Sequence, residues 1–377
     1  MISQTHPSPA NNHKGCAGRG AKFAPGLPAR KLAPRLRGGR ITFSTIARRF
    51  RFSNPPKPGI QLSELTLATI RAAHDKIRPH IHRTPVLSSS ILNQKLGAEF
   101  FFKCENMQKV GAFKARGACN AVMSLNDDQM RRGVVTHSSG NHGAALAWAA
   151  GLRGTKATIV VPNNAPKPKK FAIEAYGARI VYCEPNVTAR EAAVATLIAE
   201  ENLELVHPFN DFRVMNGQGT AALELLEEVP DLDIVMSPLG GGGLLSGTAI
   251  AAKGVKPGIK VFGGEPAGAD DGYRSYMTGV RVTDAVPNTI CDGLRTGLGD
   301  KTFEIIRHNV DGIALSSEEN IIRAMRMTWE LLKIICETSC CPPLGAILEG
   351  NLDVKHKRVG IILTGGNVDL DKLPWQN

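Results

Sequence analysis

The chain has 377 residues, 42% hydrophobic but only 5% aromatic, so closely packed helices on a parallel sheet suit it better than an aromatic platform for nucleic acid. Its formal net charge of +12 lies in residues 1–58, which hold twelve Lys and Arg and no acid; 46 less 12 leaves 34 basic residues against 34 acidic ones. A neutral body lacks the electrostatic footprint of a nucleic-acid binder, and no stretch approaches the roughly 20 apolar residues of a membrane span.

Residues 1–58 are rich in Pro, Gly, Ser and Arg. An acid-free, Arg- and Ser-bearing N-terminus suits a transit peptide, while the Pro and Gly content suits a basic disordered extension or a misplaced start codon. The expected location is cytoplasmic, or mitochondrial if the extension is a transit peptide. Eight cysteines, at 16, 104, 119, 183, 291, 336, 340 and 341, show neither Cys-x-x-Cys nor a His partner at zinc spacing, which implies a reducing compartment.

Beyond the tail, Leu67, Ile70, Ala73 and Ile77 recur at helical spacing and predict a helix ending before Pro79. Residues 99–105 read as a buried strand and 117–123 as a helix. Over 133–208, strands at 134–136, 157–161, 178–182 and 203–206 alternate with helices at 144–150, after Lys169 and at 190–200. Such alternation specifies a parallel sheet with crossover helices. It repeats with strands at 234–239, 259–262 and 359–363 and helices at 244–252 and 318–335. The expected division is a small domain, 133–210, and a large one built from 59–132 and 211–377. Thirteen residues follow Thr364, and this predicts no appended regulatory domain.

Three segments point to chemistry. Gly240, Gly241, Gly242 and Gly243 follow an apolar strand and precede an apolar helix, a context in which backbone N–H groups converge on a phosphate. Neither a nucleoside-triphosphate loop nor a clean dinucleotide fingerprint continues from them. Lys114 stands between Phe113 and the apolar stretch 118–123, where desolvation lowers an amine's pKa and suits it to capturing an aldehyde. The Ser138-Ser139-Gly140-Asn141-His142-Gly143 loop sits between a strand and a helix, with N–H groups and hydroxyls placed for a carboxylate. His137 and His142 read first as oriented packing histidines.

Those segments, with Gly217-Gln218-Gly219-Thr220, Glu265-Pro266-Ala267-Gly268-Ala269-Asp270-Asp271 and Thr364-Gly365-Gly366-Asn367, resemble the serine racemase and serine/threonine dehydratase family of fold type II pyridoxal 5'-phosphate enzymes over about residues 60–375. The resemblance implies an α/β fold like that of the tryptophan synthase β chain, with two open parallel-sheet lobes and helices on both faces. It implies that Lys114 joins the cofactor aldehyde, Phe113 packs near the ring, Asn141 bonds the ring hydroxyl, Gly240 to Gly243 hold the phosphate, and Thr364 stands beside the pyridine nitrogen. Ser139 becomes the acid/base group on the substrate face opposite Lys114. Ser138, Ser139, His142 and Arg190 match substrate-contacting positions; Glu265, the Ala269 carbonyl and Asp271 match a Mg²⁺ or Ca²⁺ site. A homodimer, a hydroxy-amino acid substrate and a nucleotide activator also come with the resemblance.

The expected activity is racemisation of serine and dehydration of L-serine or L-threonine. Rival readings are a threo-3-hydroxyaspartate dehydratase, a biosynthetic threonine deaminase, a β-replacing synthase such as cysteine synthase, and a catalytically dead homologue acting as a binding protein. The last rests on the segment 337–346, which departs from the family's Glu-Pro-Ser-Gly-Ala and reads as an insertion bearing Pro342 and Pro343.

Overall fold

The computed structural model describes residues 62–376 apart from Ser139 and Pro166; the basic extension, 1–58, lies outside the described residues. Helix α1 (Leu67–Ile77) starts where Thr66 and Thr69 cap each other's backbone N–H, which satisfies two donors a helix end leaves free. Its Ile70, Ala73 and Ile77 are buried, the stripe predicted by their spacing. The short β1 (Val86–Leu87), helix α2 (Ser90–Leu96) and strand β2 (Glu99–Cys104) follow, β1 running antiparallel to β2.

Helices α3 (Lys114–Met123) and α4 (Asp127–Arg132) lead into β3 (Val134–His137), α5 (Asn141–Arg153), β4 (Ala157–Pro162), α6 (Lys167–Ala175), β5 (Arg179–Cys183), α7 (Val187–Glu201) and β6 (Glu204–Leu205). Their strands form a parallel sheet in the order β5-β4-β3-β6. The alternation read over 133–208 is present. Strand β6 is shorter than expected, because after the Val206 N–H bonds Val135 O at 3.0 Å the chain turns away through Pro208, which has no N–H to give a ladder.

The second sheet draws on α8 (Phe212–Glu228), β7 (Ile234–Pro238), α9 (Gly243–Val255), β8 (Lys260–Pro266), α10 (Asp271–Thr278), α11 (Asp300–Asn309), β9 (Gly312–Ser316), α12 (Glu318–Leu332), α13 (Pro342–Leu348) and β10 (Arg358–Leu363). Its order is β1-β2-β10-β7-β8-β9, parallel except for β1. The central strands carry unbroken apolar runs, Ile234-Val235-Met236 and Ile361-Ile362-Leu363, all buried, as strands covered by helices on both faces require.

Helix α8 is the spine of the molecule. A Cβ on Gly217 would lie 2.4 Å from Arg116 O in α3, and one on Gly247 would lie 2.5 Å from Met215 O. Only glycine lets α3 and α9 approach α8 at backbone distance. Helix α12 stops at Leu332, short of the expected Ile335, because Lys333 adopts φ 60 and caps it in the left-handed conformation.

The segment 338–343 forms a 3-10 turn, Thr338–Cys340, and then the start of α13, with proline in the first two helical positions. A missing N–H costs nothing there. Pro342 and Pro343 are buried, and a Cβ on Gly264 would lie 2.4 Å from Pro343 N. The two prolines thus open a buried helix instead of interrupting the fold. Among the described residues no helix is long and apolar enough to cross a membrane.

Candidate active site

Four loops leave the carboxyl ends of parallel strands and meet, the usual place for a ligand in an open α/β sheet. Strand β2 continues through two short 3-10 turns to Lys114 at the first position of α3. Strand β10 hands on Thr364, and the two loops are stitched together: Ala112 bridges Gly365, and the Phe113 N–H donates to Thr364 O at 2.9 Å. Strand β7 runs into the glycines before α9, and β3 into Ser138 and the start of α5.

The Lys114 Nζ donates to Pro208 O at 2.8 Å and lies 5.1 Å from the Phe113 ring centroid. Burial lowers its pKa to about 8, and a helix N-terminus is itself a poor place for a cation. The lowering enlarges the neutral, nucleophilic fraction near neutral pH relative to an ordinary lysine.

The glycine run is hemmed in on every side. A Cβ on Gly241 would lie 2.3 Å from the Phe209 ring, one on Gly242 2.8 Å from Thr302 Cβ, and one on Gly243 2.7 Å from Gln218 Oε1. Gly242 also takes φ +88, which side chains rarely adopt. Thr302 Oγ1 donates to Gly241 O at 2.8 Å. The first-turn N–H groups of α9 are left for an anion.

Asn141 is held from two sides: its Nδ2 donates to Glu337 Oε1 at 3.0 Å, and its Oδ1 accepts from Asn367 Nδ2 at 2.9 Å. Thr364 is buried, with Oγ1 3.4 Å from Cys340 Sγ. Cys340 in turn donates to Gly365 O at 2.9 Å and accepts from Gly365 N at 3.1 Å. Glu337 and Cys340 went unassigned in the sequence reading. Their signal was the family's own glutamate at the head of the segment, obscured by the unfamiliar residues after it.

Ser138 Oγ accepts the Gly140 N–H at 3.3 Å; Ser139 lies outside the described residues. His142 is turned away, its Nε2 donating to Val206 O at 3.2 Å, and burial holds its pKa well below the ordinary value. His137 and His207 meet edge to face at 5.5 Å. Burial lowers both to about 4, so all three rings are neutral and weakly basic near pH 7. Arg190, on α7, is close enough to His137 to add to that lowering. The His207-Pro208-Phe209 turn, which touches both Lys114 and the glycines, went unnoticed in the sequence; its signal was a His-Pro-aromatic step between a strand and a helix.

Behind the glycine run lies a pair of acids. Glu265 is the last residue but one of β8, with its oxygens accepting the Gly272 N–H at 2.9 Å and the Tyr273 N–H at 2.7 Å. Burial, then the nearby Asp271, pushes its pKa well up. Asp271 Oδ2 is buried without a hydrogen-bond partner among the described residues, and burial raises this carboxyl to about 6. Ala269 is buried in the connecting turn, Ala267–Ala269.

Two residues beyond Lys114, Arg116 is completely buried between Glu105 (Nε to Oε2, 2.6 Å) and Glu224 (Nη2 to Oε2, 2.7 Å), and Lys103 Nζ reaches the same Glu224 oxygen at 2.7 Å. Burial works against the Arg116 charge, and the two carboxylates more than offset it. The cluster ties α3 to β2 and α8.

Residues 77–365 match the family model described as "Pyridoxal-phosphate dependent enzyme". The chain is 50% identical over 316 residues to a serine racemase from Dictyostelium discoideum, covering 83% of this chain and 98% of that protein. It is 47% identical over 310 residues to a beta-hydroxyaspartate dehydratase from Paracoccus denitrificans, covering 82% and 98%. The crystal structure of the Dictyostelium protein superposes with a TM-score of 0.78 at 50% identity, over 81% of this chain and 100% of that one.

Proposed function

The chain belongs to the pyridoxal-phosphate dependent enzyme family, and from that premise we propose that it is a serine racemase and L-serine/L-threonine dehydratase. The observation that carries the reading is Lys114, an amine with a lowered pKa, set in one crevice with a glycine cradle, Asn141 and Thr364. The residues present fit pyridoxal 5'-phosphate: a cradle closed to any Cβ for the phosphate, and a buried neutral hydroxyl for the ring nitrogen. When bound, that cofactor supplies an electron sink for negative charge at a substrate's α-carbon.

The protein's own groups do the rest. Backbone N–H groups at Gly240, Gly241, Gly242 and Gly243 would hold the phosphate, and Phe113 would pack against the ring. Asn141, whose amide is oriented by Glu337 and Asn367, would bond the ring hydroxyl. Thr364, a neutral hydroxyl, would face the pyridine nitrogen and leave it unprotonated. Lys114 would anchor the cofactor aldehyde until the substrate amine displaces it, and the amine so released would take the α-proton on one face of the substrate. Loss of the β-hydroxyl as water leads, after hydrolysis, to a 2-oxo acid and ammonia. A proton returned by Ser139 on the opposite face gives the D-amino acid. Ser138 and the N-terminus of α5 would bind the substrate carboxylate, with His142 fixing the loop from behind.

Similarity to the beta-hydroxyaspartate dehydratase and the position of the Arg190 charge near His137 support a second substrate, 3-hydroxyaspartate, whose extra carboxylate would meet Arg190. The proposal also includes a divalent ion, Mg²⁺ or Ca²⁺, on Glu265, the Ala269 carbonyl and Asp271, supported by the buried Asp271 Oδ2, which has no hydrogen-bond partner among the described residues, and by oxygen-only chemistry. A homodimer and a nucleotide activator belong to the same reading.

Incubation with L-serine, measuring pyruvate and D-serine together, tests the reading, and both products are expected. Ser139→Ala should cut D-serine by a factor on the order of 10²–10⁴ while pyruvate falls much less. Parallel loss of both, with a raised KM, would mean that Ser139 only holds the carboxylate.

A further inference from the structure

Gln218 is fully buried, and neither its Nε2 nor its Oε1 has a hydrogen-bond partner among the described residues. A whole primary amide left unsatisfied in a core is uncommon, because each orphaned group carries the full cost of its lost water. Tight surroundings hold it in place. Its Cγ would be 3.0 Å from a Cβ on Gly117, one helical turn after Lys114, and its Oε1 2.7 Å from a Cβ on Gly243, the first residue of α9. Phe209 crowds the same Gly243 position, with its Cβ 3.0 Å away. The amide therefore sits between the start of the lysine helix and the start of the glycine-capped helix, at the one corner of the crevice where an anion is expected.

We infer that Gln218 is a positioning residue for the cofactor phosphate: its amide hydrogen-bonds the anion held by Gly240 to Gly243 and couples that anion to the helix bearing Lys114. The inference rests on reading the glycine run as the phosphate site. A neutral amide suits the task. Oε1 is the end of the amide beside Gly243; a half-turn about the last side-chain bond exchanges the two ends and presents Nε2, the donor a phosphate oxygen requires. A carboxylate in its place would repel the anion, and a hydrocarbon would leave one of its oxygens without a donor.

Met matches Gln in length and nearly in volume, so Gln218→Met removes the amide with little change in packing. Cofactor affinity is measured by absorbance titration of the cofactor-free protein with pyridoxal 5'-phosphate and, separately, with pyridoxal, which lacks the phosphate. The wild type should prefer the phosphorylated form strongly. In Gln218→Met that preference should shrink by about 10–100-fold, the weight of a hydrogen bond to a charged group, with pyridoxal affinity nearly unchanged. Melting of the cofactor-free variant should stay level or rise, because an unsatisfied buried amide has been removed. Gln218→Glu should lose still more of the preference through charge repulsion, and it serves if the Met variant does not fold. An unchanged preference in a folded variant overturns the inference. A wild type that binds pyridoxal as tightly as the phosphate form would instead refute the glycine-run reading beneath it.

Discussion

Lys114 and Arg116 stand two residues apart on one helix, and their surroundings have opposite logic. Arg116 spends its donors on two carboxylates at 2.6 and 2.7 Å, with Lys103 completing a neutral buried quartet. Lys114 has a backbone carbonyl and an aromatic ring beside it, and burial lowers its pKa to about 8. A charge satisfied on all sides holds elements in register and cannot easily react. An amine left short of partners costs stability and gains reactivity. Gln218 repeats the second pattern beside the glycine run, its amide having no hydrogen-bond partner among the described residues.

The comparison can be broken most forcefully at Lys114. On the proposed function Lys114→Ala removes both the covalent anchor and the proton acceptor, and pyruvate formation from L-serine should fall by more than about 10⁴-fold. Residual turnover within tenfold of the parent would take Lys114 out of the chemistry. The cofactor-free variant should fold at least as well as the parent. The sign of the pH effect follows from proton counting: between about 8 and the ordinary lysine value of 10.5, the unfolded chain binds a proton that the folded chain lacks. Stability of the cofactor-free parent should therefore rise with pH across that window, relative to Lys114→Ala. A flat difference curve in urea melts would mean that the amine is not desolvated.

Arg116→Met tests the other member of the pair. It strands Glu105 and Glu224 with Lys103 as their remaining buried cation, and unfolding free energy should drop by about 3–5 kcal/mol. A loss below about 1 kcal/mol in denaturant titration would show that the quartet holds little. The smallest effect is expected at the acid pair. Chelator should lower the melting temperature, and Mg²⁺ or Ca²⁺ at about a hundred times its Kd should restore about 2.7 kcal/mol. Glu265→Ala should behave like the chelated parent. Identical melting curves for metal-free and metal-loaded protein would exclude the ion.

Much of this was legible in the chain. The helix at Leu67–Ile77 follows from apolar spacing alone. The strand–glycine–helix step at 234–252 follows from an apolar run, four consecutive glycines and a second apolar run. Helix α13 is absent from the sequence-based expectation, because two prolines look like a break until they are seen in the first turn of a helix. Strand β9 went unread: Gly312-Ile313-Ala314-Leu315-Ser316 is a short mixed run that becomes a strand only by pairing with β8.

Local sequence determined most of the helices, strands and turns, with β9 and α13 as exceptions, and it determined the chemical types at the crevice, since periodicity, glycine freedom and a lysine amid apolar neighbours are properties of short stretches. The tertiary structure decided which polar groups were satisfied. Glu105 and Glu224, 119 residues apart in the chain, converge on Arg116 only when β2, α3 and α8 pack together. Glu337 reaches Asn141 across 196 residues, and Gln218 is orphaned only because α3 and α9 close over it. Whether a buried group is paired or exposed to chemistry is set by what arrives from far along the chain, and no short stretch contains that information.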